Sequence, residues 1–495
     1  MTRKLTYYLS VFVLIFLSAL TLAISAEEKA TLHHQGQSQN QKLRPISDYE
    51  SGRILSLLGS NTLGAKLVPE WVKLYLSELG LQNIHQTEGP IENETIISAY
   101  DNKKLLSIKI SAHGSSTGFK GLNAGTADIA MSSRPIKVKE QLQLATLGSM
   151  KSMQAENIAA IDGLAIIVHK SNRISSLTVN DISEIFSGEI QNWSELGGGN
   201  IPIHTYARDK NSGTWDTFRK LVLGKATLAK STERFESNDH LSDLVSNDPS
   251  GIGFVGLASV RESKALSIAD GYTLPLEPSR LHVATEDYPL ARRLYLYTAE
   301  NQRNPRVLDF LQFIQSESAQ FVVDSVGFVS LNPIQTPITE DLEGPSEYME
   351  IIQHADRLSI NFRFQHRSAE LDNRSKRDIE RLANYIRQPD NTNKRIQLIG
   401  FGDLDQDEKR AGILSRLRAS VVKSALHSAN IPTESVLGFG AYMPIASNLG
   451  RNRIKNQRVE VWLFDEKQKD TISQLKRSAS RDRRQKDRAK IGFIQ

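Results

Sequence analysis

Cysteine is absent from the 495-residue sequence. Its absence excludes disulfide bonds, thiolate metal sites, cysteine nucleophiles and attachment of a lipid through an N-terminal cysteine. The eleven histidines show no paired spacing that suits a metal ion, so neither a metal nor a cofactor is predicted. At this length the chain has room for about three domains, with cores large enough to need no cross-links.

Long apolar runs are scarce, and one of them lies at the N-terminus. Two basic residues precede an apolar segment from Tyr7 to Ile24, which ends in small residues and two glutamates. This order is typical of a secretory signal peptide over residues 1–26, cleaved after Ala26. The alternative is an uncleaved anchor, because the segment approaches the roughly 17 residues that span a bilayer. Residues 27–50 are polar and predict a flexible lead-in.

Charge is distributed unevenly along the chain. Ten basic and three acidic residues lie between 467 and 495, an excess that is larger than the formal charge of +5 for the whole chain. Residues 466–495 therefore predict a basic disordered tail, which is either simply solvated or in contact with anionic envelope surfaces. Nucleic acid is not a predicted partner, because no aromatic and basic platform interrupts the remaining sequence.

Two turns rich in serine, glycine and threonine carry the most specific chemistry, Gly114 to Gly118 and Asn211 to Thr214, and Arg208 precedes the second. Such turns let main-chain N–H groups converge, while hydroxyls and the dipole of a following helix favour an anion. Each turn taken singly also fits ordinary turn and N-cap chemistry. A third polar turn, Ser60 to Gly64, precedes a predicted helix from Lys66 to Leu79. Three strand–turn–helix units thus predict an oxyanion cradle at the strand ends.

Further segments follow in the order of a known family: Ile161 to Val168, Ser175 to Thr178, Ile185 to Trp193, Gly251 to Gly256, Tyr288 to Leu290 and Gly327 to Val329. Together with the turns they resemble the PstS-like phosphate-binding proteins, the periplasmic receptors of phosphate import, over residues 51–332. The resemblance implies an α/β domain with the two-lobed class II periplasmic-binding-protein fold. Lobe one is expected at 51–160 and 270–331, with lobe two inserted between these segments.

The resemblance also implies the ligand positions one at a time. The implied phosphate-binding residues are Thr62, Leu63 through its amide, Ser115, Ser133, Arg208, Ser212, Gly213 and Thr214. Ser133 departs from the stricter phosphate receptors, which carry there an aspartate that accepts the proton of hydrogen phosphate. Because a hydroxyl donates or accepts, selectivity between phosphate, sulfate and other oxyanions is left open. The neighbouring Arg134 alternatively caps a sheet edge or pairs with Asp128 or Asp209.

A second domain is predicted after residues 333–355, which are rich in proline and acidic residues and indicate an exposed linker. An α+β sandwich is predicted over 356–465 from alternating strands and amphipathic helices. Its predicted elements are a strand at 358–364, a helix face of Ile379, Leu382 and Ile386, a strand at 396–400, a helix face of Leu414, Leu417, Val421 and Ala425, and a strand at 459–463.

Five segments of this half resemble the OmpA-like peptidoglycan-binding domain: Phe362 to Leu371, Gly400 to Asp403, Leu414 to Ala419, Gly438 to Gly440 and Asn456 to Glu460. The resemblance implies that Asp403 and Arg418 hold the diaminopimelate of the peptidoglycan stem peptide, whose ammonium and carboxylate suit one acid and one guanidinium. Phe401, Gly402 and Ala411 replace the family's histidine, threonine and asparagine. Alternatively, Asp403 is a turn residue and Arg418 a solvated helix residue.

The combined interpretation is a Gram-negative periplasmic receptor, not an enzyme, that binds phosphate or a related oxyanion and is anchored non-covalently to peptidoglycan in the cell envelope. Phosphate capture, transport or sensing is its predicted role, with an ABC phosphate transporter or a sensor as partner. The alternative is a structural wall protein whose binding-protein fold serves as a protein-interaction module. A phosphatase is disfavoured, because no metal cluster, activated nucleophile or histidine–acid pair is evident beside the cradle.

Overall fold

The computed structural model describes residues 52–101, 104–210, 212–338, 344–365, 368–404, 407–448 and 452–466. The predicted signal peptide, the lead-in and residues 467–495 of the predicted tail lie outside these residues. Within the described ranges, no helix has both the length and the apolar character needed to cross a membrane.

Strands and helices alternate through both halves of the described chain. The strands are β1 (Gly52–Gly59), β2 (Gln82–Glu88), β3 (Glu94–Asp101), β4 (Lys104–Ser111), β5 (Ile129–Ser132), β6 (Glu156–Val168), β7 (Ser176–Thr178), β8 (His204–Arg208), β9 (Glu233–Phe235), β10 (Gly251–Gly256), β11 (Lys264–Ala265), β12 (Ser267–Ala269), β13 (Ala291–Tyr297), β14 (Gln335–Thr336), β15 (Asp356–Arg363), β16 (Lys394–Gly400), β17 (Leu437–Gly438) and β18 (Arg458–Asp465). The helices are α1 (Asn61–Gly64), α2 (Leu67–Glu78), α3 (Ser115–Ala124), α4 (Val138–Gln143), α5 (Val179–Ser187), α6 (Gly213–Phe218), α7 (Asn238–Asn247), α8 (Arg280–Ala284), α9 (Pro305–Phe313), α10 (Glu317–Val326), α11 (Ser346–Ile352), α12 (Asn373–Arg387) and α13 (Glu408–Ser428).

Two lobes share one curled sheet with the strand order β2-β3-β4-β1-β5-β13-β6-β10-β8-β9, and β11 also pairs with β6. Strand β6 joins the lobes, because its first half pairs with β13 and its second half with β10. Its side chains are buried on both faces from Asn157 to Val168, as expected for a near-continuous apolar run. The prediction of a two-lobed α/β fold is confirmed.

The chain returns to lobe one at β13, later than the predicted residue 270. Strand β11 pairs with the second half of β6, β12 pairs with β7, and Leu276 exchanges main-chain hydrogen bonds with Ile268 of β12, so residues 264–276 belong to lobe two. These strands have two and three residues, too short for a period to show in the sequence. Their pairing partners therefore decide which lobe they join.

The C-terminal domain has a sheet of strand order β14-β15-β18-β16-β17, against which α12 and α13 pack. Its core contains Leu358, Ile360 and Phe362 from β15 and Leu382 and Val422 from the helices. This arrangement confirms the predicted α+β class. The buried face of α13 differs from the prediction, since Leu414 and Leu417 are exposed.

Close packing of small residues explains the different face of α13. A Cβ atom placed on Gly400 of β16 would lie 2.0 Å from the carbonyl oxygen of Ser415. The helix therefore approaches the sheet with Ser415 and Ala419, which are fully buried. The spacing of large apolar residues therefore indicates the wrong face of a helix where small residues let the helix and the sheet approach this closely.

Segment 333–355, predicted as an exposed linker, contains ordered structure in its described residues. Strand β14 pairs with β15, and Tyr348 and Ile351 of α11 are buried. The Tyr348 ring meets Phe401, Phe439 and Trp462 edge to face, with centroids 5.7 to 5.9 Å apart. Phe401, which replaces the family's histidine, thus provides a packing surface for this helix.

The C-terminal domain docks directly on the segment that joins α8 to β13. Asp287 accepts hydrogen bonds from Asn361 Nδ2 at 2.7 Å and from Arg363 Nη2 at 3.0 Å. Arg374 pairs with Glu286. All five side chains are largely buried. A buried charge is strongly destabilising without its partner, so these ion pairs fix the position of the C-terminal domain on this segment.

A second set of contacts reaches lobe one from α12. Asn373 Nδ2 donates to Glu156 Oε1 at 3.1 Å, and Arg377 Nη2 donates to Asn157 Oδ1 at 2.8 Å. Glu156 and Asn157 begin β6, the strand that joins the lobes. The C-terminal domain is therefore built onto the lobe junction.

Acid is expected to weaken this domain interface before either domain unfolds. Burial by itself raises the pKa of Glu286, but the attraction of Arg293 and Arg374 outweighs it and lowers that pKa to about 2. The pKa of Asp287 is lowered as well, because neighbouring arginines outweigh its burial. Groups with a lowered folded-state pKa stabilise the fold above their unfolded pKa, near 4, and lose that contribution as pH falls towards about 2.

Calorimetry between about pH 7 and about pH 2 tests this expectation. The transition of the two domains together should split into two as the pH falls from about 4 towards about 2. A single cooperative transition throughout this range would contradict the assigned role of the two carboxylates.

Candidate functional site

A cleft of about 370 Å³ lies between the two lobes. Lobe one contributes the turn after β1, the turn before α3 and the loop after β5. Lobe two contributes the residues just before α6, α6 itself and the turn that follows it. The lining residues are Ser60, Asn61, Thr62, His113, Gly114, Ser115, Ser116, Arg134, Lys137, Lys210, Ser212, Asp216, Arg219 and Lys220. The cleft thus lies at the strand ends where the sequence predicts the cradle.

Three predicted ligand residues line the cleft directly, namely Thr62, Ser115 and Ser212. Ser133 lies beside them in a buried position, where its N–H donates to Ser115 Oγ at 3.1 Å. The hydroxyl oxygens of Ser115 and Ser133 are 3.4 Å apart. Hydroxyls of both lobes are therefore brought to one place, where they offer adjustable donors and acceptors.

Gly213 brings the lobes into contact at the base of the cleft. A Cβ atom placed on Gly213 would lie 2.5 Å from Thr62 Oγ1 and 2.6 Å from Thr62 Cα. No larger residue fits this approach without movement, so the lobes are closed at this point. Leu63 is buried in α1, and Thr214 lies in the first turn of α6; neither is among the lining residues.

Arg208 is directed towards β9. Its Nε donates to the carbonyl oxygen of Phe235 at 3.2 Å, and its Nη2 donates to the carbonyl oxygen of Glu236. The Nη2 atom also lies 3.8 Å from Asp209 Oδ2. Arg208 is not among the residues that line the cleft, so its direct contact with a ligand stays a prediction.

Arg292 is a residue of this site that the sequence interpretation missed. Its Nη2 donates to Thr62 Oγ1 at 2.9 Å and to the Gly213 carbonyl at 3.1 Å, while Nε donates to Asp162 Oδ2 at 3.0 Å. Its buried Nη1 makes no hydrogen bond with any described residue. One guanidinium thus joins both lobes beneath Thr62, although Arg292 is itself not among the residues that line the cleft. Its signal in the sequence is the first arginine of the pair Arg292–Arg293, one residue beyond the Tyr288 to Leu290 segment.

Asp216 is a second missed residue, and it brings a carboxylate into the cleft. Ser133 Oγ donates to Asp216 Oδ2 at 3.4 Å, and Arg292 Nη1 lies 3.7 Å from the same oxygen. Burial tends to raise the pKa of Asp216, but Lys220 and Arg292 outweigh it and lower the pKa. The group therefore stays ionised and acts as a hydrogen-bond acceptor. It lies two residues after Thr214, within the same turn of sequence.

Arg134 adopts neither of the alternative pairings that the sequence leaves open. It makes a bidentate pair with Glu140, with Nη1–Oε2 and Nη2–Oε1 distances of 2.8 and 2.6 Å, and Nη2 also donates to Ser116 Oγ at 3.0 Å. This pairing holds the start of α4 against the mouth of the cleft.

The cleft carries more positive than negative charge. Its basic lining residues are Arg134, Lys137, Lys210, Arg219 and Lys220, whereas Asp216 is its acidic lining residue. Such an excess attracts anions. Across the described residues, no group of three or more histidine, aspartate or glutamate side chains is placed to hold a metal ion.

The C-terminal domain places the two predicted stem-peptide residues close enough to interact electrostatically. Gln457 Nε2 donates to Asp403 Oδ1 at 2.8 Å, and Arg453 Nε lies 3.6 Å from Asp403 Oδ2. Arg418 lies over the Phe364 ring, 5.9 Å from its centroid. Burial lowers the pKa of Arg418 despite the opposing attraction of Asp403. The acid and the guanidinium thus attract each other, and binding of diaminopimelate between them stays a prediction.

Comparisons with known proteins agree with the division of the chain into a two-lobed domain and a C-terminal domain. A family model described as a PBP superfamily domain matches residues 92–318, and the OmpA family model matches residues 363–458. The phosphate-binding protein PstS of Pseudomonas aeruginosa PAO1 is 30% identical over 245 residues, which cover 46% of this chain and 75% of that protein. Protein SphX of Synechococcus elongatus is 29% identical over 257 residues, covering 50% of this chain and 75% of that protein.

A solved structure is similar as well. An ABC-type phosphate transport receptor from Vibrio cholerae has a TM-score of 0.44 at 23% identity, over 56% of this chain and 99% of that chain. The predicted order of a PstS-like domain followed by an OmpA-like domain is confirmed. The chain therefore belongs to the PstS-like phosphate-binding proteins of the PBP superfamily and carries a second domain of the OmpA family.

Proposed function

We propose that this protein binds phosphate or a related tetrahedral oxyanion in the inter-lobe cleft while its OmpA domain associates with peptidoglycan in the periplasm of a Gram-negative cell. One observation carries the proposal: hydroxyls of Thr62, Ser115 and Ser212 from two lobes meet beside the buried guanidinium of Arg292. A small ion that contacts both lobes would stabilise the closed form through its preference for that state. PstS of Pseudomonas aeruginosa is named a phosphate-binding protein, which supports the same ligand class.

The ligand would be held by donors of several kinds. Hydroxyls of Ser115 and Ser133, which lie 3.4 Å apart, would face a ligand oxygen from the side of lobe one, and the hydroxyl of Ser212 would face it from lobe two. The amides of Leu63 and Thr214 and the guanidinium of Arg208 are proposed to add donors when the ion enters. Arg292 Nη1 would supply a charge-assisted hydrogen bond, which is stronger than a neutral one.

The OmpA domain would hold the receptor at the wall. A diaminopimelate residue offers an ammonium to Asp403 and a carboxylate to Arg418, and such charge-assisted pairs are specific when both ends are engaged. Because this domain is docked on the lobe junction through Asp287 and Glu156, the cleft would stay beside the wall rather than on a long tether. This arrangement favours capture or sensing of phosphate near peptidoglycan. Delivery to an ABC transporter is the further role expected from the family.

Asp216→Asn is expected to weaken phosphate binding roughly tenfold and to narrow the preference for phosphate over sulfate. Hydrogen phosphate can donate its proton to the Asp216 carboxylate, whereas fully ionised sulfate has no proton and is repelled by it. Asp216 would thereby supply the ionised acceptor that the uncharged hydroxyl of Ser133 does not provide. Calorimetric titration of the full chain with each ion measures the ratio of its affinities for phosphate and sulfate.

Glu262→Gln is a matched control, because Glu262 forms an exposed pair with Lys170 away from the cleft. Its affinities for both ions should equal those of the unaltered protein. If the unaltered protein bound neither ion, the proposed function would be wrong. Equal changes for phosphate and sulfate in Asp216→Asn would remove only the discriminating role of the carboxylate.

A further inference from the structure

A short hairpin of lobe two ends in an exposed tip. Ile268 and Leu276 exchange main-chain hydrogen bonds of 2.8 and 3.0 Å, and β12 pairs with β7 just before the tip. Inside the hairpin, the N–H of Asp270 donates to Thr273 Oγ1 at 3.1 Å. The lobe-two hairpin, residues 268–276, is therefore closed at its base by main-chain hydrogen bonds and braced inside by Thr273.

The tip of the lobe-two hairpin touches the OmpA domain. Asn452 Nδ2 donates to Asp270 Oδ2 at 3.0 Å. Gly271 lies against Ser447, since a Cβ atom placed on Gly271 would be 3.5 Å from Ser447 Cβ. Two separate points of contact thus fix the hairpin beside the OmpA domain.

The same part of the OmpA domain borders the predicted stem-peptide pocket. The N–H of Leu404, which follows Asp403, donates to Asn448 Oδ1 at 3.3 Å, and Asn448 follows Ser447. Arg453, which lies 3.6 Å from Asp403, follows Asn452. The pocket and the lobe-two hairpin therefore share the two segments 447–448 and 452–453 as their common border.

Exposed apolar side chains lie around this border. Tyr272 at the tip of the hairpin is fully exposed, with a relative accessibility of 105%, the highest among the large apolar side chains described. Tyr442 and Leu404 of the OmpA domain are also exposed, at 62% and 47%. An exposed aromatic side chain on a hydrogen-bonded loop suits a binding surface, because its ring offers a large apolar face and its hydroxyl a polar end.

We propose that the lobe-two hairpin and the OmpA domain form one composite surface, in which Tyr272 stacks on the glycan strand of peptidoglycan. The proposal rests on the proposed wall association. A stem peptide is covalently attached to its glycan strand, so a peptide held at Asp403 brings sugar rings close to the border. The C–H face of a sugar ring is apolar and its rim is polar, which matches the apolar face and polar hydroxyl of tyrosine.

Co-sedimentation of the full chain with purified diaminopimelate-type peptidoglycan tests the composite surface. Tyr272→Ala is expected to raise the apparent Kd roughly five- to tenfold, since aromatic anchors dominate binding surfaces of this kind. Tyr100→Ala is the matched control, because Tyr100 is an exposed tyrosine of β3 in lobe one. Its apparent Kd should not change.

Two further measurements separate binding of the glycan strand from binding of the stem peptide and from binding of phosphate. Peptidoglycan from which an amidase has removed the stem peptides should still bind the unaltered protein weakly, and Tyr272→Ala should abolish that binding while Asp403→Asn leaves it unchanged. Phosphate affinity should be the same in Tyr272→Ala and the unaltered protein. If the unaltered chain failed to sediment with intact peptidoglycan, the proposed wall association itself would be wrong. If it sedimented and Tyr272→Ala matched it on both polymers, the composite surface would be refuted.

Discussion

Gly213→Ala is expected to lower the affinity for phosphate at least about 100-fold while leaving both lobes folded. The added Cβ atom would lie 2.6 Å from Thr62 Cα, a main-chain atom that cannot turn away as a side chain can. The lobes would therefore have to separate, and Arg292 would lose its bonds to Thr62 or to the Gly213 carbonyl. An ion would then be held by one lobe, and its apparent affinity falls with the population of the closed state.

Calorimetric titration of phosphate and small-angle scattering measure the two parts of this effect. The unaltered protein should keep a compact radius of gyration, and Gly213→Ala should show a larger one that phosphate does not reduce. Gly256→Ala is the matched control in the same lobe, because nothing lies within 4 Å of a Cβ atom there and its φ of −63° suits any residue. Unchanged phosphate affinity in Gly213→Ala would show that the closed contact at Thr62 is not part of the binding state.

Asp287→Ala is expected to remove about 3–5 kcal/mol from the stability of the docked arrangement. Asp287 is buried and accepts from Asn361 and Arg363, with Arg357 Nη2 3.8 Å from its other oxygen. Removing the carboxylate leaves two buried guanidinium groups with less compensation, and an unpaired buried charge is strongly unfavourable. The OmpA domain should therefore separate from the lobes, and each domain should unfold on its own.

Differential scanning calorimetry should show one transition for the unaltered protein and two for Asp287→Ala, with the lower one moved down in temperature. Asp239→Ala is the control, because Asp239 forms an exposed pair with Arg261 at 3.6 Å and should contribute less than about 1 kcal/mol. A single transition at an unchanged temperature in Asp287→Ala would show that the domains are held by other contacts.

Some of the site was predictable from short segments. Thr62, Ser115 and Ser212 each sit in a polar turn between a strand and a helix, so their position at the strand ends followed from local pattern and family resemblance. Asp403 and Arg418 were predicted in the same way, and the fold brings them close enough to interact electrostatically. Such turns are formed by residues that are adjacent in the sequence, and this explains why the sequence alone predicted them.

Other features were hidden because they depend on distant residues. Arg292 lies on a buried strand, and nothing in its neighbourhood shows that its guanidinium reaches Thr62 and Gly213. The exposed positions of Leu414 and Leu417 on α13 arise because glycine in the facing strand admits a closer approach by small residues. Both outcomes are decided by the packing of one backbone against another.

The sequence by itself determined the order of the two domains, the three polar turns, the oxyanion-type chemistry and the departure at Ser133. Each of these is carried by residues close together in the chain, where propensity, turn geometry and family motif act locally. The tertiary structure alone decided that the Asp216 carboxylate lies beside Ser133, and that the OmpA domain docks on Asp287 instead of being joined only by a linker. These contacts join residues 74 to 83 positions apart, and loop closure over such distances is set by the whole fold rather than by local pattern.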